Sequence, residues 1–221
     1  MMDCKVIIFD FDGTFYSGKH KYDNVKDNVD ADRRKFFPKL SDKQYEKLMQ
    51  DEPKFMEMES TRDIVNYMKY INQMYPKLKV DVTDFYNWQN STHYDVIIDP
   101  KELVDLERLE SLCKEKPVYV VSNSSPTHVE YYMKKIGVKK RWFQDVISNE
   151  FDPFDTTKKH YYIEIMNREK VEPYDVVVLG DDKLSDLRPA EQLGMHTIYS
   201  NNAKTLLTKL DKFLSKKTTR K

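Results

Sequence analysis

The chain has 221 residues with 37 Lys+Arg against 37 Asp+Glu, a formal net charge of zero, so no overall field selects nucleic acid or an anionic membrane as a partner. A third of the residues are charged (33%), and no apolar run approaches the ~20 residues of a membrane span. Cys4 and Cys113 are the only cysteines, too few for a disulfide framework, which predicts a reducing, cytoplasmic setting.

The opening MMDCKVIIFD does not read as a signal peptide, because its apolar run is short and ends in acidic residues. Val6, Ile7, Ile8 and Phe9 instead form the unbroken, mostly β-branched run of a strand buried on both faces of a parallel sheet. It exits into Asp10, Phe11, Asp12, Gly13 and Thr14. Open α/β sheets bind ligands at such carboxyl ends. The chemical reading makes Asp10 a nucleophilic carboxylate and Asp12 an acid/base two positions on. The same residues also suit an ordinary strand-to-turn exit.

From about Tyr22 to His93 no buried-strand run occurs, and helical periodicities take over. Helices are predicted over about 23–37, over 41–49 with Ser41 as N-cap, and over 62–75, where Ile64, Met68, Ile71 and Tyr75 recur before Pro76. Thr83 caps a predicted short helix carrying Phe85, Tyr86 and Trp88. These aromatics, with Tyr67 and Tyr70, suit either a stacking pocket or the packed core of a small helical unit. His93 and Tyr94 stand near the return to the sheet.

Strand and helix then alternate. Asp99-Pro100-Lys101-Glu102 predicts a capped helix running to about Lys114, with Cys113 in register with Leu103, Leu106 and Leu109 as a core thiol. Val118–Val121 reads as a second strand, ending in Ser122 and Asn123; a helix opened by Pro126 runs to Ile136. Val146–Ser148 is a third strand, Lys158–Arg168 a helix started by Thr156 or Thr157, and Val176–Leu179 a fourth strand, ending in Gly180, Asp181, Asp182 and Asp186. A helix to Leu193 and a strand from Met195 to Tyr199 follow. Such alternation predicts an α/β, Rossmann-like parallel sheet in three layers.

All strands of a parallel sheet open on one edge, so Asp10/Asp12, Ser122/Asn123 and Asp181/Asp182/Asp186 can converge. The combination resembles the haloacid dehalogenase superfamily over essentially the whole chain. The family's DxDGT motif reads as Asp10 to Thr14, its apolar strand ending in Ser or Thr as Ser122, and its GDxxxxD motif as Gly180-Asp181 to Asp186. The resemblance implies a core of residues 1–16 and 100–215, a helical cap inserted over 17–99, and a basic tail at 216–221. It places the first strand between the second and fourth. The opening and the cap size look like the pyrimidine 5′-nucleotidase-like branch, which often has Asn at the position of Gly13.

The family's lysine is less regular here. Lys158 shares a helical face with Tyr161, Tyr162, Ile165 and Met166, which favours it over Lys159. The resemblance implies that Asp10 forms an aspartyl-phosphate and that Asp12 serves as acid, then base. Ser122, Asn123 and Lys158 would bind phosphate. Mg2+ would be held by Asp10, the main-chain oxygen of Asp12, Asp181 and Asp186, with Asp181 and Asp182 open to exchange. The implied activity is a Mg2+-dependent phosphomonoesterase on a small phosphorylated metabolite, such as a nucleotide or sugar phosphate. The alternatives are a phosphomutase or phosphotransferase of the same superfamily, and a non-catalytic binding protein on the same scaffold. Neither nucleic acid nor membrane is an expected partner.

Overall fold

The computed structural model describes residues 4–16, 34–51, 61–81, 84, 98, 100–148 and 158–215. Most of the helix expected over 23–37 lies outside these residues. So do Phe85, Tyr86, Trp88, His93, Tyr94, the Asp99 cap, Thr156, Thr157 and the tail 216–221.

Five strands form one parallel sheet: β1 (Val6–Phe9), β2 (Val118–Ser122), β3 (Asp145–Ser148), β4 (Val176–Gly180) and β5 (His196–Tyr199). Their order is β3-β2-β1-β4-β5. Phe9 pairs with Val120 on one side and Leu179 on the other. Every residue of β1, β2 and β4 is buried, as the unbroken apolar runs predict. Alternation then divides the layers. Val6, Ile8, Tyr119, Val121, Val176 and Val178 pack in one core with Tyr162 and Ile165 of α5 (Lys159–Glu169) and Ala190 of α6 (Arg188–Leu193). Ile7, Phe9, Val120, Val177 and Leu179 are fully buried on the opposite face.

Two helices carry clear end signals. In α3 (Leu106–Glu115) the Asp105 side chain accepts the Arg108 N–H at 3.0 Å. Ser125 does the same for His128 at the start of α4 (Pro126–Ile136), where Pro126 occupies the first turn and Gly137 ends the helix. The single helix expected from Pro100 to Lys114 is therefore corrected. Pro100–Glu102 is a 3₁₀ turn, Leu103 pairs with Tyr16 in an antiparallel bridge, and Val104 N–H donates to Phe15 O at 3.0 Å. The chain is extended where it passes the exit of β1, so the helix begins only at Asp105. Leu103 consequently leaves the face of Cys113, which is half-buried.

Beyond β4 the chain makes a π-helical turn, Lys183–Leu187, before α6. A helix beyond the predicted elements, α7 (Ala203–Leu214), buries Ala203, Leu206, Leu207 and Leu210, a spacing of three, four and seven. Arg108 joins α3 to α7 through Asp211 at 2.8 Å. Among the described residues no helix is long and apolar enough to cross a membrane.

The described residues cluster into two compact units. The sheet unit holds 4–16, 98, 100–148 and 158–215; the other holds 34–51, 61–81 and 84. In the second lie the helices α1 (Asp42–Asp51) and α2 (Thr61–Met74). Ser41 and Gln44 cap the first of them reciprocally, each side chain bonding the other's backbone N–H, at 2.9 and 3.4 Å. Phe37, Leu40, Leu48, Tyr67, Met68, Ile71 and Val80 form its core. Tyr67 is 1% exposed and its hydroxyl donates to Leu48 O at 3.0 Å, so packing accounts for it.

Candidate active site

Asp10 follows β1 directly, and its N–H donates to Leu179 O at 2.8 Å, so the sheet's ladder fixes where its side chain starts. The side chain is buried. Oδ2 accepts the Thr14 hydroxyl at 2.9 Å, and Oδ1 lies 2.5 Å from Lys158 Nζ. Lys158 stands at the N-cap position of α5 without bonding its first turn, and points inward at 2% exposure, whereas Lys159 is exposed. Its ammonium also lies 2.7 Å from Asp186 Oδ1.

Asp10, Asp181 and Asp186 each bring one carboxylate oxygen into a group whose members lie within 4.8 Å of one another. Asp182 does not join them. It caps the π-helical turn, accepting from Leu184 N at 2.7 Å and Ser185 N at 3.2 Å. The backbone approaches this cluster closely at two glycines. A Cβ at Gly180 would lie 2.4 Å from Asp186 Oδ2, and one at Gly13 would strike Asp181.

Asp10 and Asp186 are buried and Asp181 is half-buried; Lys158 pairs with the first two, so the fully ionised group of three carboxylates and this ammonium would carry a formal charge of −2. Burial first, then repulsion by Asp186, raise the Asp10 carboxyl above its ordinary range despite Lys158. Burial and Asp186 likewise push Asp181 up to about 7. Burial alone would lower Lys158, but Asp10 and Asp186 outweigh it and keep the ammonium charged. The direction is that of a site short of positive charge. The donors are all oxygen, and one divalent cation would bring the charge to zero. That donor set fits a hard ion such as Mg2+ better than a nitrogen- and sulfur-seeking one.

The side chain of Asp12 lies outside this cluster and is held separately. Its Oδ1 accepts from the Tyr16 hydroxyl and from His128 Nε2 at 2.8 Å; a carboxylate only accepts, so the imidazole is the donor. Oδ2 accepts from Ser124 Oγ at 2.7 Å and Ser122 Oγ at 3.3 Å. Burial pushes Asp12 up, but His128 and the hydroxyl donors outweigh it and hold the carboxyl well below the usual range. Ser122 also accepts the Ser124 N–H at 3.0 Å, and Asn123 lies in the turn between them.

The sheet edge thus brings together Asp10, Asp181, Asp186 and Lys158 as one group, and Asp12 and Ser122 as another. Tyr16, Ser124 and His128 are site residues that the sequence reading does not reach, and Thr14 enters it only as the last residue of the DxDGT motif. His128 had a usable signal: it stands three residues after a Ser cap on the helix that follows β2, where first-turn side chains face the strand ends.

No curated protein sequence matches the chain. Among solved structures it is similar to a haloacid dehalogenase-like family hydrolase from Xanthomonas campestris, at 13% identity and TM-score 0.52 over 91% of this chain and 83% of that one. It is similar to a 2-haloacid dehalogenase from Pseudomonas syringae pv. Tomato, at 15% and 0.52 over 95% and 99%. A HAD family enzyme from Bacteroides thetaiotaomicron, solved as a magnesium complex, gives 14% and 0.51 over 97% and 100%. At such identities these likenesses speak to fold alone. The family of haloacid dehalogenase-like hydrolases matches residues 4–194, nearly the full length, and the chain belongs to that family.

Proposed function

We propose that the chain is a Mg2+-dependent phosphomonoesterase that acts on a small phosphorylated metabolite through an aspartyl-phosphate on Asp10. The observation that carries this reading is the Asp10–Asp181–Asp186 cluster with a second carboxylate, Asp12, two residues after Asp10 and ringed by donors. Releasing a halide takes no proton, so a dehalogenase has no use for an acid at position 12. An alkoxide leaving phosphorus needs one.

Asp10, Asp181 and Asp186 would hold Mg2+, with the main-chain oxygen of Asp12; when bound, the ion offsets repulsion between the nucleophile and the phosphoryl group. Lys158 adds a fixed positive charge against Asp10 and Asp186. Ser122 offers its hydroxyl to a phosphate oxygen, beside Asn123 and the first-turn N–H groups of α4. An Asp10 oxygen bonds to phosphorus as the ester oxygen leaves with a proton from Asp12. Water then attacks phosphorus, gives its proton to Asp12, and the bond to Asp10 breaks. Asp12 is a carboxylate in the resting site; an incoming phosphate dianion raises its proton affinity by like-charge repulsion, which suits it to the acid role. Nucleotides and sugar phosphates are the substrate classes to test first. The free cysteines suit a cytoplasmic enzyme.

The test is phosphate release from p-nitrophenyl phosphate and a panel of phosphorylated metabolites, with Mg2+ and with EDTA. Release that requires Mg2+ and is lost in Asp10→Asn is expected, with no halide freed from 2-chloropropionate. Activity that survives Asp10→Asn overturns the mechanism.

A further inference from the structure

Asp12 accepts from four side chains, which fills the acceptor capacity of a carboxylate. The donors are not equivalent. Ser122 lies farthest from the carboxylate, at 3.3 Å, and holds the hydroxyl that the proposed function gives to phosphate. Once Ser122 turns away, Oδ2 keeps Ser124, while Oδ1 keeps both Tyr16 and His128. One ring, Tyr132, touches both of those residues. Tyr132 stacks on Tyr16 with centroids 5.4 Å apart and planes 12° apart. One turn earlier on the same helix, the His128 ring lies 4.7 Å from Tyr132. Tyr16 and Tyr132 are buried, and the His128 side chain is 17% exposed. The His128 backbone is fixed by the Ser125 cap at 3.3 Å.

We propose that His128 is a positioning residue for Asp12: braced by Tyr132, it donates Nε2–H to Oδ1 and sets the rotation of the carboxyl group, so that Oδ2 faces the leaving oxygen after Ser122 has passed to the phosphate. This rests on the phosphatase reading above, in which Asp12 is the acid. Ser124 and Tyr16 hang on single bonds to a hydroxyl that can turn. The imidazole is a rigid plane whose donor direction is set by the ring, so its loss leaves the carboxyl least defined. His128 does not touch the substrate; it acts through Asp12.

A residue that orients an acid matters in proportion to how much the leaving group needs the proton. The experiment compares kcat/KM, which ends with departure of the leaving group, for an alkyl phosphate and for p-nitrophenyl phosphate, whose leaving group departs without help. The variants are His128→Phe, which keeps a ring against Tyr132 but has no donor, and His128→Gln, whose amide nitrogen reaches the place of Nε2. Asp12→Asn is the reference. In His128→Phe the alkyl ester is expected to lose on the order of 10–100-fold more than the aryl ester, short of the ~10²–10⁴-fold that general acid catalysis contributes. His128→Gln is expected to recover the ratio to within about threefold, since the donor and not the ring is what Asp12 uses. Thermal unfolding of each variant separates this from loss of fold, which would lower both esters alike. A selective alkyl loss in Asp12→Asn without one in His128→Phe overturns the positioning role and leaves the phosphatase reading standing. Equal losses in all three variants overturn the acid role of Asp12 and the inference with it. A wild-type protein that cleaves neither ester overturns both.

Discussion

The backbone of Gly13 passes so close to Asp181 that a Cβ built on it would lie 2.0 Å from Oδ2 and 2.6 Å from the carboxyl carbon. Gly13 also has φ = +74°, in the left-handed region. Two constraints therefore meet at one residue, the turn that carries Asp12 and the space that Asp181 occupies. Gly13→Ala is expected to cost about 1–2 kcal/mol for the backbone alone. The displaced Asp181 adds a loss of metal affinity. Urea unfolding and isothermal titration with Mg2+ check the two effects; normal Mg2+ binding in a destabilised variant would separate them.

Lys158 sets its ammonium against both Asp10 and Asp186, at 2.5 and 2.7 Å. Lys158→Met leaves the Asp10, Asp181 and Asp186 carboxylates with a formal charge of −3 in place of −2. Breaking a buried pair from one side costs about 3–5 kcal/mol. Asp10 and Asp181 already have raised proton affinity, so acid neutralises them readily. The variant is expected to be much less stable than the parent at pH 8, and the gap to narrow at pH 5. Urea midpoints at the two pH values decide it, and an equal gap at both sinks the charge argument.

Metal binding is expected to compete with protons. Burial and the Asp186 charge raise the Asp181 carboxyl from its ordinary value near 3.8 to about 7 in the folded chain. Between those values the folded chain binds more protons than the unfolded one, so Asp181's contribution to stability falls as pH rises from about 4 to about 7. A bound cation needs the carboxylate, so Mg2+ reverses that fall. The rise in Tm on adding Mg2+ should be small at pH 5 and grow through about pH 7. A rise independent of pH would mean that Asp181 is not a ligand.

The two thiols are expected to be poor nucleophiles. Burial pushes Cys4 up to about 11 and Cys113 up to about 12, so neither is a thiolate at pH 8. Cys4 Sγ also lies within donating reach of the carbonyls of Val6 and Asp175, at 3.2 and 3.3 Å, for its one S–H. Iodoacetamide at pH 8 should modify the native chain slowly and the urea-unfolded chain fully, as mass spectrometry can follow. Rapid modification of the native chain would contradict the burial.

The strands were legible because each buried strand of a parallel sheet must be apolar on both faces. Val6–Phe9, Val118–Val121 and Val176–Leu179 are such runs, too short for helices of their own. The start of α3 was not, because Asp99-Pro100-Lys101-Glu102 has good capping chemistry and only the bridge between Leu103 and Tyr16 shows why the helix waits for Asp105. Helix α7 carried its spacing of Ala203, Leu206, Leu207 and Leu210 in plain view.

In the site, the strand-end residues Asp10, Ser122 and Asp181 could be picked out because parallel strands share one open edge. Lys158 could be preferred to Lys159 on helical phase alone, although it stands at the cap of the helix and not within it.

By itself the sequence determined which segments are buried and which acidic residues stand at strand ends, because burial pattern and strand direction are local properties read one residue at a time. Only the tertiary structure decided that Asp181, and not Asp182, meets Asp10, because that depends on where a π-helical turn spends its capping carboxylate. It alone decided that Asp12 is gripped by Tyr16, Ser124 and His128. Those contacts join residues as far apart as 116 positions, and each donor's direction depends on packing that no local pattern records.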